Sequence, residues 1–306
     1  RKHALHQAPP ARAFVQKDLY STFFGATVDD EIERRLFGDI DTKGSRAVRA
    51  FAVGDPAECH RNFENFFEYI DIQKLRTPKG LGWLRAQYPS LSQNELMMEM
   101  QAIRMMHCTI WTEGVREIVS AEDAEVKFIV SDHPVTVYNP GAPPGSKFSV
   151  FPLEPGIELK GTQTLFPLDR NHCLILTNLE YAQDHAVDPL SKRTFARRFR
   201  TSMVRTDAFI RSRKLTTEEV QAVNQVIRSR AHKYVAAGDK DWLPEPVGDP
   251  RAWKGLGEVL RPPTDKLFGF GGEMYVSYEN GDVHYQDAFG RTEKERDFLK
   301  KSPIKE

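Results

Sequence analysis

A carboxylate and an imidazole stand side by side in Ser131-Asp132-His133-Pro134, at the carboxyl end of the β-branched and aromatic run Phe128-Ile129-Val130. Backbone leaving a sheet at such a point presents polar side chains on a rigid support. Asp132 and His133 are therefore the candidate catalytic residues, as acid or base. Pro134 holds His133 extended, so the two side chains diverge and do not form a dyad with each other. The competing reading of Asp132 is structural, a carboxylate that accepts backbone amides across a turn.

Gln73 and Arg76 are three apart at a helix end and share a face. Together they offer an amide and a guanidinium to a carboxylate or phosphate. Arg76 can equally pair with an acid of the chain itself. Asn224 interrupts the apolar stripe Val220, Val223, Ile227 and Ala231, so it needs buried partners. Arg228 follows it one turn later and completes the candidate substrate-binding set of Gln73, Arg76, Asn224 and Arg228. Gln73, Arg76, Asp132 and Asn224 are expected to come together, as a pocket or as a buried polar network, because buried polar groups are most easily satisfied by one another.

Charge is segregated. Between Ser191 and Tyr234 there are twelve Lys and Arg against three Asp and Glu, although Lys plus Arg equals Asp plus Glu at 43 each over the whole chain. That basic block either binds RNA or another phosphate-bearing partner, or docks on the chain's own acids around Glu31, Glu33, Asp39 and Asp41. Cys59, Cys108 and Cys173 each stand next to a histidine. Adjacent side chains diverge in a helix or a strand, and ligand spacing of the Cys-x-x-Cys kind is absent, so no metal site is read. The residues specify no cofactor.

Several segments resemble an uncharacterised, mainly bacterial family known as domain of unknown function forty-two thirty-eight. They are Glu33 and Asp41, Gln73-Lys74-Leu75-Arg76-Thr77-Pro78, Phe128-Ile129-Val130-Ser131-Asp132-His133-Pro134-Val135, Phe166-Pro167-Leu168-Asp169, and Asn224 with Ala231. The resemblance covers most of residues 28–237. It implies alternating helical and strand segments and selects residues without giving them roles.

The elements that must position these groups follow from period and punctuation. A helix is expected over 29–53, broken near Gly44, and a second one carries Phe63, Phe66, Phe67 and Ile70. The capping box Ser92-Gln93-Asn94-Glu95 opens a long helix to about residue 119, along the stripe Leu96, Met100, Ile103, His107 and Ile110. Strands are expected at 126–130, 135–138, 148–152, 157–160, 163–167 and 172–177. Helices return at 187–212 and at 216–237, the latter opened by Thr216-Thr217-Glu218-Glu219 and closed by Gly238. Asn280-Gly281 marks a hairpin within 274–287. Short turns between strands favour antiparallel pairing. The fold class is thus α+β, helices around a mainly antiparallel sheet, with residues 1–250 as one domain and 251–306 as a C-terminal hairpin extension.

At 306 residues, 40% hydrophobic and 28% charged, the chain is long enough for a full core and too apolar for disorder. No apolar run nears the roughly 18 residues of a membrane span. The start, Arg1-Lys2-His3-Ala4, lacks the apolar core of a secretory signal, and three scattered cysteines give no disulfide framework. Both point to the cytoplasm. The functional expectation is a cytoplasmic hydrolase acting on a phosphodiester or other anionic substrate. The alternative is a non-catalytic module that binds RNA or a protein through basic helices at 191–234. Neither sets an oligomeric state.

Overall fold

The computed structural model describes residues 5–9, 14, 22–24, 27–29, 38–103, 105–194, 196, 206, 209–263, 273–277 and 283–287. A hairpin of β1 (Thr22–Phe24) and β2 (Thr27–Asp29) precedes six helices: α1 (Gly38–Val53), α2 (Pro56–Arg61), α3 (Phe63–Leu75), α4 (Pro78–Gln87), α5 (Gln93–Ala102) and α6 (Cys108–Glu113). Strands β3 (Val115–Ser120), β4 (Val130–Ser131), β5 (Thr136–Tyr138), β6 (Gln163–Pro167) and β7 (His172–Thr177) follow. Then come α7 (Leu179–Gln183), α8 (Thr217–Arg230), β8 (Val235–Ala236) and α9 (Pro250–Leu260), and last β9 (Glu273–Ser277) with β10 (Val283–Asp287).

The central sheet has the order β3-β7-β6-β5, and every neighbouring pair is antiparallel. Its strands are buried on both faces, so they read as continuous apolar runs such as Cys173-Leu174-Ile175-Leu176 rather than as an alternation. Alternate side chains feed two separate cores. Val119, Leu165, Cys173 and Ile175 pack with Val220, Val223 and Ile227 of α8 and with Trp253 and Leu256 of α9. Ile118, Phe166, Leu174 and Leu176 pack with Ala47 and Phe51 of α1, Phe66, Phe67 and Ile70 of α3, and Trp111 of α6. A third apolar cluster joins the end of α3 to α4 and α5 through Ile72, Leu75, Leu81, Leu84, Met97 and Met100. The architecture is α+β, an antiparallel sheet with helices on both sides. Trp253, Leu256 and Leu260 make α9 part of the α8 core, ahead of the β9–β10 ladder.

The long helix expected from residue 92 to 119 is instead three elements: α5, α6 and β3. Asp71, fully buried on α3, accepts from the amides of Met105 (2.6 Å) and His107 (3.4 Å) and lies 2.6 Å from His107 Nδ1. These bonds hold a tight turn in which Met105 takes a φ of 65°, and a tertiary contact thus overrides an apolar stripe that continues in period. Gly44 does not break α1. A Cβ there would lie 2.2 Å from Cδ2 of Tyr69, so glycine is needed for the close approach of α1 to α3. The segments 148–152 and 157–160 form turns rather than strands, apart from a single bridge between Leu159 and Lys192. Of the helix expected at 187–212, residues 187–194 are irregular, and residue 210 begins a stretch that runs beside β3 through parallel bridges at Glu117–Ile210 and Ser120–Lys214. Residues 30–37, 197–205 and 278–282 lie outside the described set.

Both capping boxes are formed, at Ser92 with Glu95 and at Thr216 with Glu219. α8 ends at Arg230, well before Gly238, because residues 232–234 are captured by the Asp132 carboxylate, which accepts all three of their amides at 2.8–3.1 Å. Inside α8, Asn224 is fully buried, accepts from the Ile129 amide (3.2 Å) and donates to the carbonyls of Lys127 (2.9 Å) and Trp242 (3.3 Å). Asn224→Ala strips partners from three buried backbone groups. It is expected to cost about 3 kcal/mol, read as a lowered urea midpoint with an unchanged slope.

Candidate functional site

The corner between α3 and α4 is unusually tight. A Cβ on Gly80 would lie 2.4 Å from the carbonyl oxygens of both Lys74 and Leu75, so only glycine allows this turn. Thr77 caps α4 with Pro78 at its first helical position, and Thr77 Oγ1 accepts from the Gly80 amide (2.9 Å). The corner places Lys74, Thr77 and Lys79 together facing His133, which the segment between β4 and β5 delivers.

Thr77 Oγ1 lies 2.9 Å from His133 Nδ1, and on the other side of the ring Nε2 lies 2.9 Å from Glu154 Oε1. The Glu154 carboxylate can only accept, which places the ring proton on Nε2 and leaves Nδ1 to accept the Thr77 hydroxyl proton. This assigns the Nε2–H tautomer, with that proton turned to the carboxylate. The approach to Glu154 is close but not aligned as a hydrogen bond. Hydroxyl, imidazole and carboxylate stand in series, each nearly or fully buried.

Glu154 comes from the irregular segment between β5 and β6, and it is surrounded by cations. Lys74 Nζ lies 2.5 Å from one of its oxygens and Lys79 Nζ 2.7 Å from the other, and Lys79 also donates to the Arg230 carbonyl at 2.7 Å. Arg230 extends from the last turn of α8, donates to the carbonyls of Val137 (3.0 Å) and Ala142 (2.6 Å), and stacks over Trp253. Burial would raise the Glu154 pKa, but His133 in its protonated form, together with the standing charges of Lys74 and Lys79, outweighs it and holds the carboxyl well below its usual range. Burial lowers the pKa of Lys79, against the pull of Glu154, and that of Arg230, to about 10. Burial likewise lowers the pKa of His133, so the imidazole is neutral at pH 7. Lys74 and Lys79 thus share one buried carboxylate, and Arg230, bonded to carbonyls, adds a third positive charge within its field.

Of the residues singled out from the sequence, His133 lies at the centre of this cluster. Asp132 does not take part; its carboxylate is spent on the three amides of residues 232–234. Gln73 and Arg76 meet at Asp41, Arg76 through two bonds at 2.6 and 2.9 Å and Gln73 at 3.4 Å. Asn224 serves the backbone bonds described above, and Arg228 donates to the Pro244 carbonyl. The link between the two family-like motifs is therefore made by His133, an expected residue, and by Thr77, the neighbour of the expected Arg76.

Lys74, Thr77 and Lys79 belong to, or adjoin, a motif read as a helix end. Thr77-Pro78 carries a detectable signal, an N-cap before a proline at the first helical position, which marks a start as much as a stop. Glu154 and Arg230 carry none, since Glu154-Pro155-Gly156 reads as a turn and Arg230 as one more charge in a basic run.

The described arginines of that basic run, with Lys214, dock on the protein itself. Arg193 pairs with Glu113 in a buried contact (2.7 Å), Arg213 grips Glu117 with two bonds at 2.6 and 2.8 Å, Lys214 pairs with Asp123 (2.9 Å), and Arg211 donates to the Phe51 carbonyl. The acids engaged by these described residues are on or beside α6 and β3; Glu31, Glu33 and residues 197–205 lie outside the described set. Lys127, in the same way, gives its ammonium protons to the carbonyls of Ala121, Glu122 and Ala124. Cys59, Cys108 and Cys173 are buried free thiols, and burial raises the pKa of all three. Among the described residues, no helix is long and apolar enough to cross a membrane.

Residues 85–241, just over half of the chain, match the family described as "Protein of unknown function (DUF4238)". The chain belongs to this family. Comparison with curated proteins and with solved structures gives no match. Within the DUF4238 segment lie His133, Glu154 and Arg230, whereas Lys74, Thr77 and Lys79 precede it. The cluster is thus closed across the boundary of the matched region.

Proposed function

We propose that the protein is a cytoplasmic hydrolase of an anionic substrate, with a phosphodiester as the favoured class. The observation that carries this reading is the charge imbalance around Glu154, the buried Lys79 and Arg230 and the largely covered Lys74 against one carboxylate. Desolvated charge without a partner costs several kcal/mol per ion, and a bound anion removes that cost. The same cations lie beside a hydroxyl and a base already within hydrogen-bonding distance, the arrangement that activates a nucleophile. Three buried, unpaired thiols fit a reducing compartment.

In this reaction the Thr77 oxygen forms a bond to phosphorus as the bond to the leaving oxygen breaks. His133 takes the threonine proton and hands it to the leaving group. A water then attacks the phosphothreonine, passing its proton to His133, which returns one to Thr77. Glu154 holds the imidazolium, and Lys74 and Lys79 take up the charge that develops on the phosphoryl oxygens. Substrate reaches the cluster from the side where Lys74 is 13% exposed. The basic-module alternative loses support because its described arginines are engaged within the fold.

A panel of bis(4-nitrophenyl) phosphate, 4-nitrophenyl phosphate and 4-nitrophenyl acetate tests the proposal, with wild type set against His133→Gln. The expected result is diester turnover that disappears in the variant. Absence of diester hydrolysis by wild type, or turnover indifferent to His133, overturns it.

A further inference from the structure

Four segments that build the buried cluster also build an exposed aromatic ledge beside it, each within three residues of its buried contribution. The segment that brings Glu154 carries Phe151, a residue 55% exposed. The exit of α8, which supplies Arg230, carries His232, stacked on Phe151 with ring centroids 4.7 Å apart and planes 26° from parallel. One turn beyond Lys79 on α4, a Cβ on Gly82 would lie 3.2 Å from Pro152 and 3.3 Å from Phe151. Asp132, the neighbour of His133, fixes the His232 amide and two beyond it, which places Tyr234, 63% exposed, next along the same segment.

An exposed phenylalanine alone means little. Here two rings are already stacked, a third aromatic stands nearby, and all are tied to the segments that gather the cations. Three residues of chain span at most roughly 10 Å, so Phe151 and Glu154 are close enough for one small ligand to touch both neighbourhoods. A ligand matched to this pairing carries an anionic group and a flat ring on a short linker. An aliphatic tail would need a groove rather than a ledge, and a bare phosphate would leave the rings unused.

The geometry points to a nucleotide unit as the ligand, its phosphate at Lys74 and Lys79 and its base stacked on the Phe151–His232 ledge. This rests on the anion-site reading above and names its substrate class. The nucleotide is either free or part of a single strand, since every base offers a face for stacking.

Calorimetric titration of the full chain with inorganic phosphate, ribose 5-phosphate, adenosine 5′-monophosphate and single-stranded hexa-adenylate tests it. Phosphate and ribose 5-phosphate should bind weakly, and Lys74→Met should remove that binding. Adenosine 5′-monophosphate should bind roughly ten-fold more tightly than ribose 5-phosphate, the order expected of one base–aromatic stack. Phe151→Ala, a change at an exposed position, should erase that advantage and Phe151→Trp should restore it. Hexa-adenylate binding well above the mononucleotide assigns the unit to a strand, and equal binding assigns it to the free nucleotide. If the ring adds no affinity, or its advantage survives Phe151→Ala, the ledge proposal falls while the anion site stands. If no phosphate compound binds, or binding ignores Lys74, the anion site falls and the proposal with it.

Discussion

Glu154→Ala should lower the stability of the protein by about 3–5 kcal/mol, the range for removing one partner of a buried ionic group. Lys74 and Lys79 both approach this carboxylate, and it also faces the Nε2 side of His133. Its loss leaves buried cations to repel one another around a void. Glu154→Gln keeps the shape and some hydrogen bonding, so it separates the charge from the packing. A pH dependence accompanies the effect. The carboxyl pKa in the folded protein lies well below 4.5, so Glu154 contributes stability that is fully present above its unfolded pKa and lost as pH falls towards the folded value. His133 is also lowered in the folded state. The unfolded chain therefore binds its proton first, and stability begins to fall as pH drops through about 6.5. Urea midpoints at pH 7 and pH 4 should show wild type losing stability over that interval. Glu154→Gln should lose less, because only the histidine contribution remains. A Glu154→Ala protein within about 1 kcal/mol of wild type, inside the range of ordinary surface changes, would show that the lysines do not depend on this carboxylate.

The parts of the fold legible in the sequence are those that local chemistry decides. Ser92 and Thr216 cap their helices because the capping box needs only four consecutive residues, and β6 and β7 form where turn residues bound short apolar runs. β3 was hidden because Val115, Ile118 and Val119 extend the apolar stripe of a helix in period, and the break before it depends on Asp71, more than thirty residues away. The candidate site shows the same division. Both halves of the Thr77–His133 contact lie in segments marked by the resemblance, yet the bond spans 56 residues, and the ion pairs of Glu154 with Lys74 and Lys79 span 80 and 75. No spacing rule reaches that far. Asp132 and Asn224 are satisfied for a related reason by backbone amides and carbonyls that lie mostly about a hundred residues away in the chain, rather than by the side chains expected to meet them. Self-docking was legible as one of two outcomes for the basic block, but the partners that Arg213 and Lys214 take were not, because they are set by where residues 209–215 lie along β3.

His133→Gln should reduce turnover of a phosphodiester by about 10²–10⁴-fold, the range for removing a general base, with a smaller change in KM, because the lysines rather than the imidazole hold the anion. Thr77→Val and Thr77→Ser divide the role of the hydroxyl. Valine removes both the nucleophile and the cap bond to Gly80, which costs about 1 kcal/mol of stability, whereas serine keeps both. Thr77→Ser should therefore remain active and Thr77→Val should not, even at temperatures where both are folded. Asp132→Asn supplies the contrast: it weakens the anchoring of residues 232–234 and should lower stability, but turnover per folded molecule should hold, since its carboxylate faces backbone amides. The pH profile carries an independent signature. A base acts only when unprotonated, and burial lowers the pKa of His133. The acid limb of kcat/KM should accordingly fall below 6.5, and a limb at or above that value would argue that an exposed histidine carries the reaction. If Thr77→Val keeps its turnover while His133→Gln loses it, the nucleophile is water delivered to His133, and Thr77 only orients the ring. Lys74 and Lys79 would keep their role in that case, because the phosphoryl charge must be met whichever oxygen attacks.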